Sequence, residues 1–226
     1  KKINIKFIST PFDFKSLKFL VTDLKLERIK VSSTDIDNIP LLIEIGRLNI
    51  NVILSSGMSS IQDVDLALSA LAYGNRNYKR TFSLKKDKLF YKKNYNYLKS
   101  KVVLMHCTSE YPAPKQELNL NVLKTYFERY KIDIGYSDHS CHELTPVICA
   151  SLCIREVEVH VTLDKKMEGP DHKSSLDFRQ FKKYVDNIRE TEILLGSKMK
   201  FITKSEKKNI KIAKKSLVSI RDIKRG

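Results

Sequence analysis

The residues of this chain that could do chemistry lie in two short β-branched runs, IGYSDH ending at His139 and VEVHVT containing His160. Alternate side chains of a strand share a face, so Ser137 lies on the same side as His139. For the same reason, Glu158 lies on the same side as His160. If the strands are parallel neighbours, two imidazoles, a hydroxyl and a carboxylate converge at one end of a sheet, where they could hold a divalent metal. The alternative is two unrelated half-buried histidines.

Four further runs of the same kind precede these two, and each also ends in polar residues. They end near Thr10, Ser33, Ser55 and Thr108. Segments with apolar residues at helical spacing separate the runs, and this alternation predicts an α/β protein with a parallel sheet. Polar residues at the carboxyl end of every strand favour a (β/α)8 TIM-type barrel, whose active sites lie on that face. A doubly wound open sheet is the alternative, but no glycine-rich phosphate loop follows the first run.

The number of strand–helix units falls short of a full barrel. Six of eight units are visible, and about 170 residues remain once a basic segment (75–101) and the C-terminal tail are set aside, against about 250 in a typical barrel. We therefore expect an incomplete TIM-type barrel over residues 1–200. Residues 75–101 are rich in Lys, Asn and Tyr without an amphipathic period, and we expect them to form a solvated low-complexity insertion.

The net charge of +16 is confined to two segments. Residues 75–101 carry +9 and residues 198–226 carry another +9, so the remainder of the chain carries −2. Such basicity suggests a nucleic-acid partner, and basic residues interleaved with aromatics could bind single strands. Because the predicted folded body is nearly neutral, solvated appendages are the favoured interpretation, and we expect no nucleic-acid partner.

The cysteines and the hydropathy of the chain bear on its expected cellular location. The four cysteines contain no CxxC pair, and buried, reduced thiols in a cytoplasmic protein are the favoured interpretation. No apolar run approaches the roughly 20 residues of a membrane span, so we expect no membrane association. No signal peptide is recognisable, although a chain that opens on Lys rather than Met says little about targeting.

Six motifs, taken in order, resemble the N-acetylneuraminate (sialic acid) synthase family. They are FISTPFD, ILSSGM, LMHCTSEYPAP, GYSDHS, EVEVHVTLDKKMEGPDHKSSL and KKSLVSIRDIKRG. The resemblance implies a Mn²⁺- or Mg²⁺-dependent condensation of phosphoenolpyruvate with open-chain N-acetylmannosamine or its 6-phosphate, giving N-acetylneuraminate or its 9-phosphate. The alternatives are a synthase for another nonulosonic acid, such as legionaminic or pseudaminic acid, and a degenerate non-catalytic homologue with basic binding segments.

The same resemblance implies roles for individual residues. The metal ligands would be His139 and His160, since two histidines suit Mn²⁺ better than a closed zinc site. The catalytic residues would be Glu158, His160 and Asp35, the last at a position where the family usually carries Glu. Phosphoenolpyruvate would be contacted by Thr10, Lys30, Ser33, Ser55 and Ser137. The sugar would be contacted by Ser109, Tyr111, Glu158 and Asp171.

The resemblance also marks parts of the family that this sequence lacks. Residues 201–226 resemble the linker toward a small C-terminal antifreeze-like domain, which in the family lends an arginine to the partner subunit. From the resemblance we also expect the first two barrel strands, which carry a glutamate and a lysine of the site in the family, to be missing from this sequence. We therefore expect weak or absent activity from this chain alone, and the homodimer of the family is doubtful without the C-terminal domain.

Overall fold

Five parallel strands follow one another across a single sheet in chain order. The structure is a computed structural model that describes residues 5–78 and 80–226. The strands are β1 (Arg28–Val31), β2 (Asn51–Ser55), β3 (Val102–Cys107), β4 (Asp133–Asp138) and β5 (Glu156–Val159). The prediction of an α/β protein with a parallel sheet is therefore confirmed.

Helices fill the intervals between the strands and extend beyond the last strand. They are α1 (Phe14–Lys18), α2 (Ile39–Leu48), α3 (Ile61–Asn75), α4 (Tyr95–Lys101), α5 (Val122–Tyr130), α6 (Thr145–Ser151), α7 (Phe178–Leu195) and α8 (Lys204–Ala213). A capping box starts α3, because Ser60 and Asp63 exchange hydrogen bonds between side chain and backbone. Single 3₁₀ turns lie at Ser33–Asp35, Phe90–Asn94, Lys115–Glu117 and His172–Ser174.

The two faces of the sheet carry different residues. The outward face packs against the helices through fully buried side chains such as Ile29, Leu54 and Tyr136. The inward face holds a separate small apolar cluster of Ile53, Val103 and Met105. Above this cluster, toward the carboxyl ends of the strands, the inward side chains are polar. The sheet thus separates a helix-packed core from a polar interior.

The sheet is curled into a half-barrel. Arg28 on β1 forms a 2.6 Å salt bridge with Glu156 on β5, and Lys30 forms one of 2.7 Å with Glu158. Four strand spacings of about 4.8 Å would separate these strands by about 19 Å in a flat sheet, farther than such side chains can reach. The two outer strands must therefore face each other across the interior.

One predicted strand does not join the sheet as a strand. The segment 7–10 has no strand geometry, and one backbone hydrogen bond, from Lys30 N to Ser9 O at 3.0 Å, connects it to β1. Phe7 is 66% exposed, so its aromatic ring is not used for packing. Pro11 then lacks the N–H that a longer ladder would need. The sheet of the described residues accordingly has five strands rather than six.

Residues 75–101 are folded, contrary to the expectation of a solvated insertion; Lys79 lies outside the described residues. Tyr73 of α3 packs against Tyr78, Phe82 and Phe90, with ring centroids 5.1–5.3 Å apart. Phe90 is 3% exposed. The expectation was wrong because the segment's average composition, dominated by Lys and Asn, does not show that its aromatic side chains pack against α3.

The chain divides into two compact units, the first extending to Ile193 and the second comprising Leu194–Gly226. The second unit contains α8, which Thr203 and Glu206 start with a capping box. Across residues 5–78 and 80–226, no helix has the length and apolar character that crossing a membrane requires.

Candidate active site

A charged pair lies at the centre of the polar interior. Lys30 Nζ lies 2.7 Å from Glu158 Oε1, and Ser137 Oγ donates to the same oxygen at 2.7 Å. Ser137 Oγ also lies 3.2 Å from His139 Nε2. Lys30 lies on β1, Glu158 lies on β5, Ser137 lies on β4, and His139 directly follows β4. The structure therefore brings together the hydroxyl, imidazole and carboxylate that strand periodicity predicted, with Lys30 added to them.

His139 is held in one orientation by the loop that follows β3. Its Nδ1 lies 2.7 Å from the carbonyl oxygen of Thr108, which can only accept, so Nδ1 carries the hydrogen of the neutral ring. Its own carbonyl accepts a hydrogen bond from Ala113 N at 3.0 Å. Burial, together with the nearby charge of His160, lowers the pKa of His139, against the effect of the Thr108 hydrogen bond. The Nε2 lone pair therefore faces the interior, where it can accept a proton or bind a metal.

Tyr111 and Asp171 lie around the second histidine. The ring of His160 lies 5.4 Å from that of His139 and 5.3 Å from that of Tyr111, measured between centroids. Tyr111 OH lies 3.2 Å from His139 Nε2, and burial raises the pKa of Tyr111, so its hydroxyl keeps the proton that it donates. Asp171 Oδ2 lies 3.7 Å from His160 Nδ1. Both predicted metal ligands thus lie together with two predicted sugar contacts.

A second polar group forms around Gly57. Ser33 Oγ accepts a hydrogen bond from Gly57 N at 2.9 Å and lies 3.2 Å from Cys107 Sγ. A Cβ atom at position 57 would lie 2.2 Å from Ser109 Oγ, so only glycine allows this approach. The predicted residues Ser33 and Ser109 therefore lie together, whereas Gly57 and Cys107 were not predicted to contact them. The periodicity of β3 could have indicated Cys107, which shares the inward face with Met105.

Among the described residues, no hydrogen bond, ring contact or salt bridge links Thr10, Asp35 or Ser55 to these two groups. Thr10 lies in the segment beside β1. Asp35 accepts a hydrogen bond from Asn38 Nδ2 at 3.0 Å, within the turn that leads into α2. Ser55 Oγ is buried on the inward face and has no hydrogen-bond partner in the described part of the chain.

The residues present fit an open metal site with two histidine ligands. In the ranges 5–78 and 80–226, no group of three or more His, Cys, Asp or Glu side chains could hold a metal ion. His139 and His160 each offer an imidazole nitrogen, and the carboxylates of Glu158 and Asp171 lie beside them. Two protein ligands leave coordination positions for water and substrate oxygens, whereas a structural zinc site has four protein ligands.

Comparison with known proteins places these features in a family. The chain is 38% identical to N,N'-diacetyllegionaminic acid synthase of Campylobacter jejuni, over 100% of this chain and 61% of that protein. It is 33% identical to the protein of the same name from Legionella pneumophila, over 99% of this chain and 57% of that protein. The chain therefore spans about three fifths of the length of these curated relatives.

A solved structure agrees with the sequence comparison. The crystal structure of N-acetylneuraminic acid (sialic acid) synthetase from Leptospira borgpetersenii matches with a TM-score of 0.72 at 29% identity, over 92% of this chain and 65% of that one. The model of the NeuB family matches residues 1–200. The chain thus belongs to the NeuB family, whose members include synthases of sialic, legionaminic and pseudaminic acids.

Proposed function

We propose that this chain carries the catalytic site of a nonulosonic acid synthase of the legionaminic acid type. The reaction condenses phosphoenolpyruvate with the open aldehyde form of an acetylated amino sugar and releases phosphate. Similarity to two N,N'-diacetyllegionaminic acid synthases over nearly the whole chain supports this product over N-acetylneuraminate. Because the condensation adds only the three carbons of pyruvate, both acetamido groups of such a product must come from the acceptor.

The observation that carries the proposal is the meeting of Lys30, Glu158 and Ser137 beside two histidines at the carboxyl ends of parallel strands. Phosphoenolpyruvate carries phosphate and carboxylate charge, which the Lys30 ammonium attracts in a partly water-excluded interior. Hydroxyl groups of Ser33 and Ser137 donate hydrogen bonds to the same anion.

The acceptor sugar occupies the outer part of the site in this proposal. His139 and His160 would hold Mn²⁺ or Mg²⁺, whose chemistry when bound is to polarise the aldehyde. Tyr111 and Asp171 contact sugar hydroxyls, with Tyr111 donating and Asp171 accepting. The Glu158 carboxylate accepts a proton or hydrogen bond from a hydroxyl or water at the reacting carbon.

The curled sheet is, in the same proposal, part of a (β/α)8 barrel. The salt bridges between β1 and β5 close most of a ring, and active sites of such barrels lie at the carboxyl ends of the strands. Residues 1–200 belong to this barrel, and residues 201–226 form the linker that follows it. In the same proposal, the protein forms the homodimer expected for the family.

Phosphate release tests the function directly. Phosphoenolpyruvate and Mn²⁺ are combined with either an N,N'-diacetylated amino sugar or N-acetylmannosamine, and His160→Ala serves as control. We expect acceptor-dependent release with preference for the diacetylated sugar, and its loss in the variant. Preference for N-acetylmannosamine would contradict the proposed acceptor. No release with either sugar, together with salt-sensitive nucleic-acid binding, would favour a non-catalytic binding protein.

A further inference from the structure

Asp138 is a buried carboxylate on the side of β4 that faces away from the candidate site. It is 1% exposed. Ser140 donates to Oδ1 from its backbone N at 2.8 Å and from its hydroxyl at 2.6 Å. Tyr184 OH donates to Oδ2 at 2.9 Å, and the Thr145 hydroxyl lies 2.5 Å from the same oxygen. A buried carboxylate whose two oxygens both accept hydrogen bonds is held in one position by its surroundings.

The bond from Ser140 N to Asp138 Oδ1 closes an Asx-turn. In this turn a side-chain oxygen accepts the N–H two residues further on, and the ring encloses the residue between. That residue is His139. The ring fixes the peptide groups on both sides of His139 and with them the direction of its Cα–Cβ bond. The same turn is extended by His142 N, which donates to Ser140 Oγ at 3.1 Å.

The loop after β3 holds His139 from the other side. Thr108 O accepts from the ring Nδ1, and Ala113 N donates to the His139 carbonyl. The ring bond alone would leave the backbone free to move, and the turn alone would leave the ring free to rotate about its side-chain bonds. Together they leave one direction for Nε2, toward Ser137 and Tyr111.

We propose that Asp138 is a positioning residue, whose carboxylate closes the turn that aims Nε2 of His139 into the site. The consequence for metal binding rests on the proposed function, in which His139 holds the metal. The turn itself can be tested without any ligand. The alternative is that Asp138 only satisfies the buried hydroxyls of α6 and α7, with no effect on His139.

Four variants separate these two roles. Asp138→Ala removes the acceptor for Ser140 N and opens the turn. Asp138→Asn keeps an acceptor oxygen, and its amide can donate to the hydroxyls of Thr145 and Tyr184, which also accept. Asp138→Ser can close the turn only weakly through its hydroxyl. Tyr184→Phe removes a donor to the carboxylate but leaves the turn intact.

Nitrogen NMR of the ¹⁵N-histidine-labelled chain reads out the His139 tautomer, with His139→Gln identifying its signals. We expect a single Nδ1–H tautomer in the wild type, Asp138→Asn and Tyr184→Phe, and averaging of both tautomers in Asp138→Ala. Mn²⁺ titration of the same proteins should show affinity weakened about 10- to 100-fold in Asp138→Ala, as for other residues that orient a ligand.

Three results would overturn the proposal. One is a single tautomer retained in Asp138→Ala, and another is averaging in Tyr184→Phe equal to that in Asp138→Ala. If Asp138→Ala does not fold, the third is an identical tautomer distribution in Asp138→Asn and Asp138→Ser. Failure of the proposed function is distinguishable, because it would give a wild-type chain with the fixed tautomer and no Mn²⁺ binding.

Discussion

Lys30 and Glu158 lie on the two outermost strands of the sheet, and their side chains meet with Nζ 2.7 Å from Oε1. Both are about three quarters buried, at 23% and 28% side-chain exposure. The contact exists only because the sheet curls, so this ion pair depends on the curvature of the whole sheet. Arg28 and Glu156 repeat the contact one layer further from the carboxyl ends.

Lys30→Met should weaken phosphoenolpyruvate binding. A hydrogen bond to a charged group contributes about 1.5–3 kcal/mol, which predicts a KM for phosphoenolpyruvate raised by about 10- to 100-fold in phosphate-release kinetics. Arg28→Met is the matched control, since it breaks the equivalent pair in the layer below and should change stability but not this KM. An equal rise of KM in both variants would contradict a direct contact of Lys30 with the substrate.

Ser55→Ala should weaken phosphoenolpyruvate binding without lowering stability, whereas Ser56→Ala should lower stability. Ser55 Oγ is buried without a partner among the described residues, so its removal should leave the free energy of unfolding unchanged or raised, while the KM for phosphoenolpyruvate rises. Ser56 Oγ donates to Met105 O at 2.7 Å, so its removal should lower stability by about 1 kcal/mol. Urea unfolding and phosphate-release kinetics measure both. A Ser55→Ala protein with unchanged KM would contradict a role for this hydroxyl in binding.

The free energy of unfolding should fall as the pH drops below the ordinary histidine pKa of 6.5. Burial holds the pKa of His139 below that value, and burial lowers the pKa of His106 in the same way. Below pH 6.5 the unfolded chain therefore binds protons that the folded chain does not, which favours unfolding. Urea unfolding between about pH 7.5 and 5.5 measures this dependence, and His139→Gln should reduce it to the part that His106 contributes. A free energy of unfolding that rises on acidification would contradict this prediction.

Asp87→Ala should destabilise the segment 75–101. Asp87 is 3% exposed and accepts hydrogen bonds from Arg80 Nη1 at 2.7 Å and from Ser83 N at 2.9 Å. The hydrogen bond from Arg80 is the largest cause of the lowered pKa of Asp87. Loss of the hydrogen bonds to Asp87 should lower the free energy of unfolding by about 1–3 kcal/mol and expose the segment to proteolysis.

The exposed pair Glu44–Arg47 provides the control for this variant. Glu44→Ala breaks a surface salt bridge of 2.9 Å and should cost at most about 1 kcal/mol. If Asp87→Ala costs no more than Glu44→Ala, the Arg80–Asp87 ion pair does not stabilise the segment.

Strand periodicity predicted which side chains of β4 and β5 share a face. The position of Ser137 relative to His139, and of Glu158 relative to His160, follows from the alternation of side chains in a strand, which depends only on local backbone geometry. The contact of Lys30 with Glu158 could not be predicted in this way, because it depends on the curl of the sheet. The turn at Asp138 was also missed, since an Asx-turn leaves no periodic pattern.

The two errors in the predicted fold have a common physical cause. Segment 7–10 has strand propensity, but a strand also needs partners along its backbone, and the described residues supply a single hydrogen bond. Residues 75–101 have the composition of a solvated segment, but the rings of Tyr78 and Phe90 pack against Tyr73 of α3. In both cases tertiary contacts, which sequence composition does not contain, decided the outcome.

The opposite orientations of His106 and Cys107 limit how this protein can evolve. His106 Nε2 meets Leu118 O at 2.8 Å among the helices, whereas Cys107 faces Ser33 in the interior. Deleting one codon within β3 would exchange the two and move every later side chain of the strand to the wrong side. One-residue insertions and deletions are therefore tolerable in the connecting loops but not within this strand.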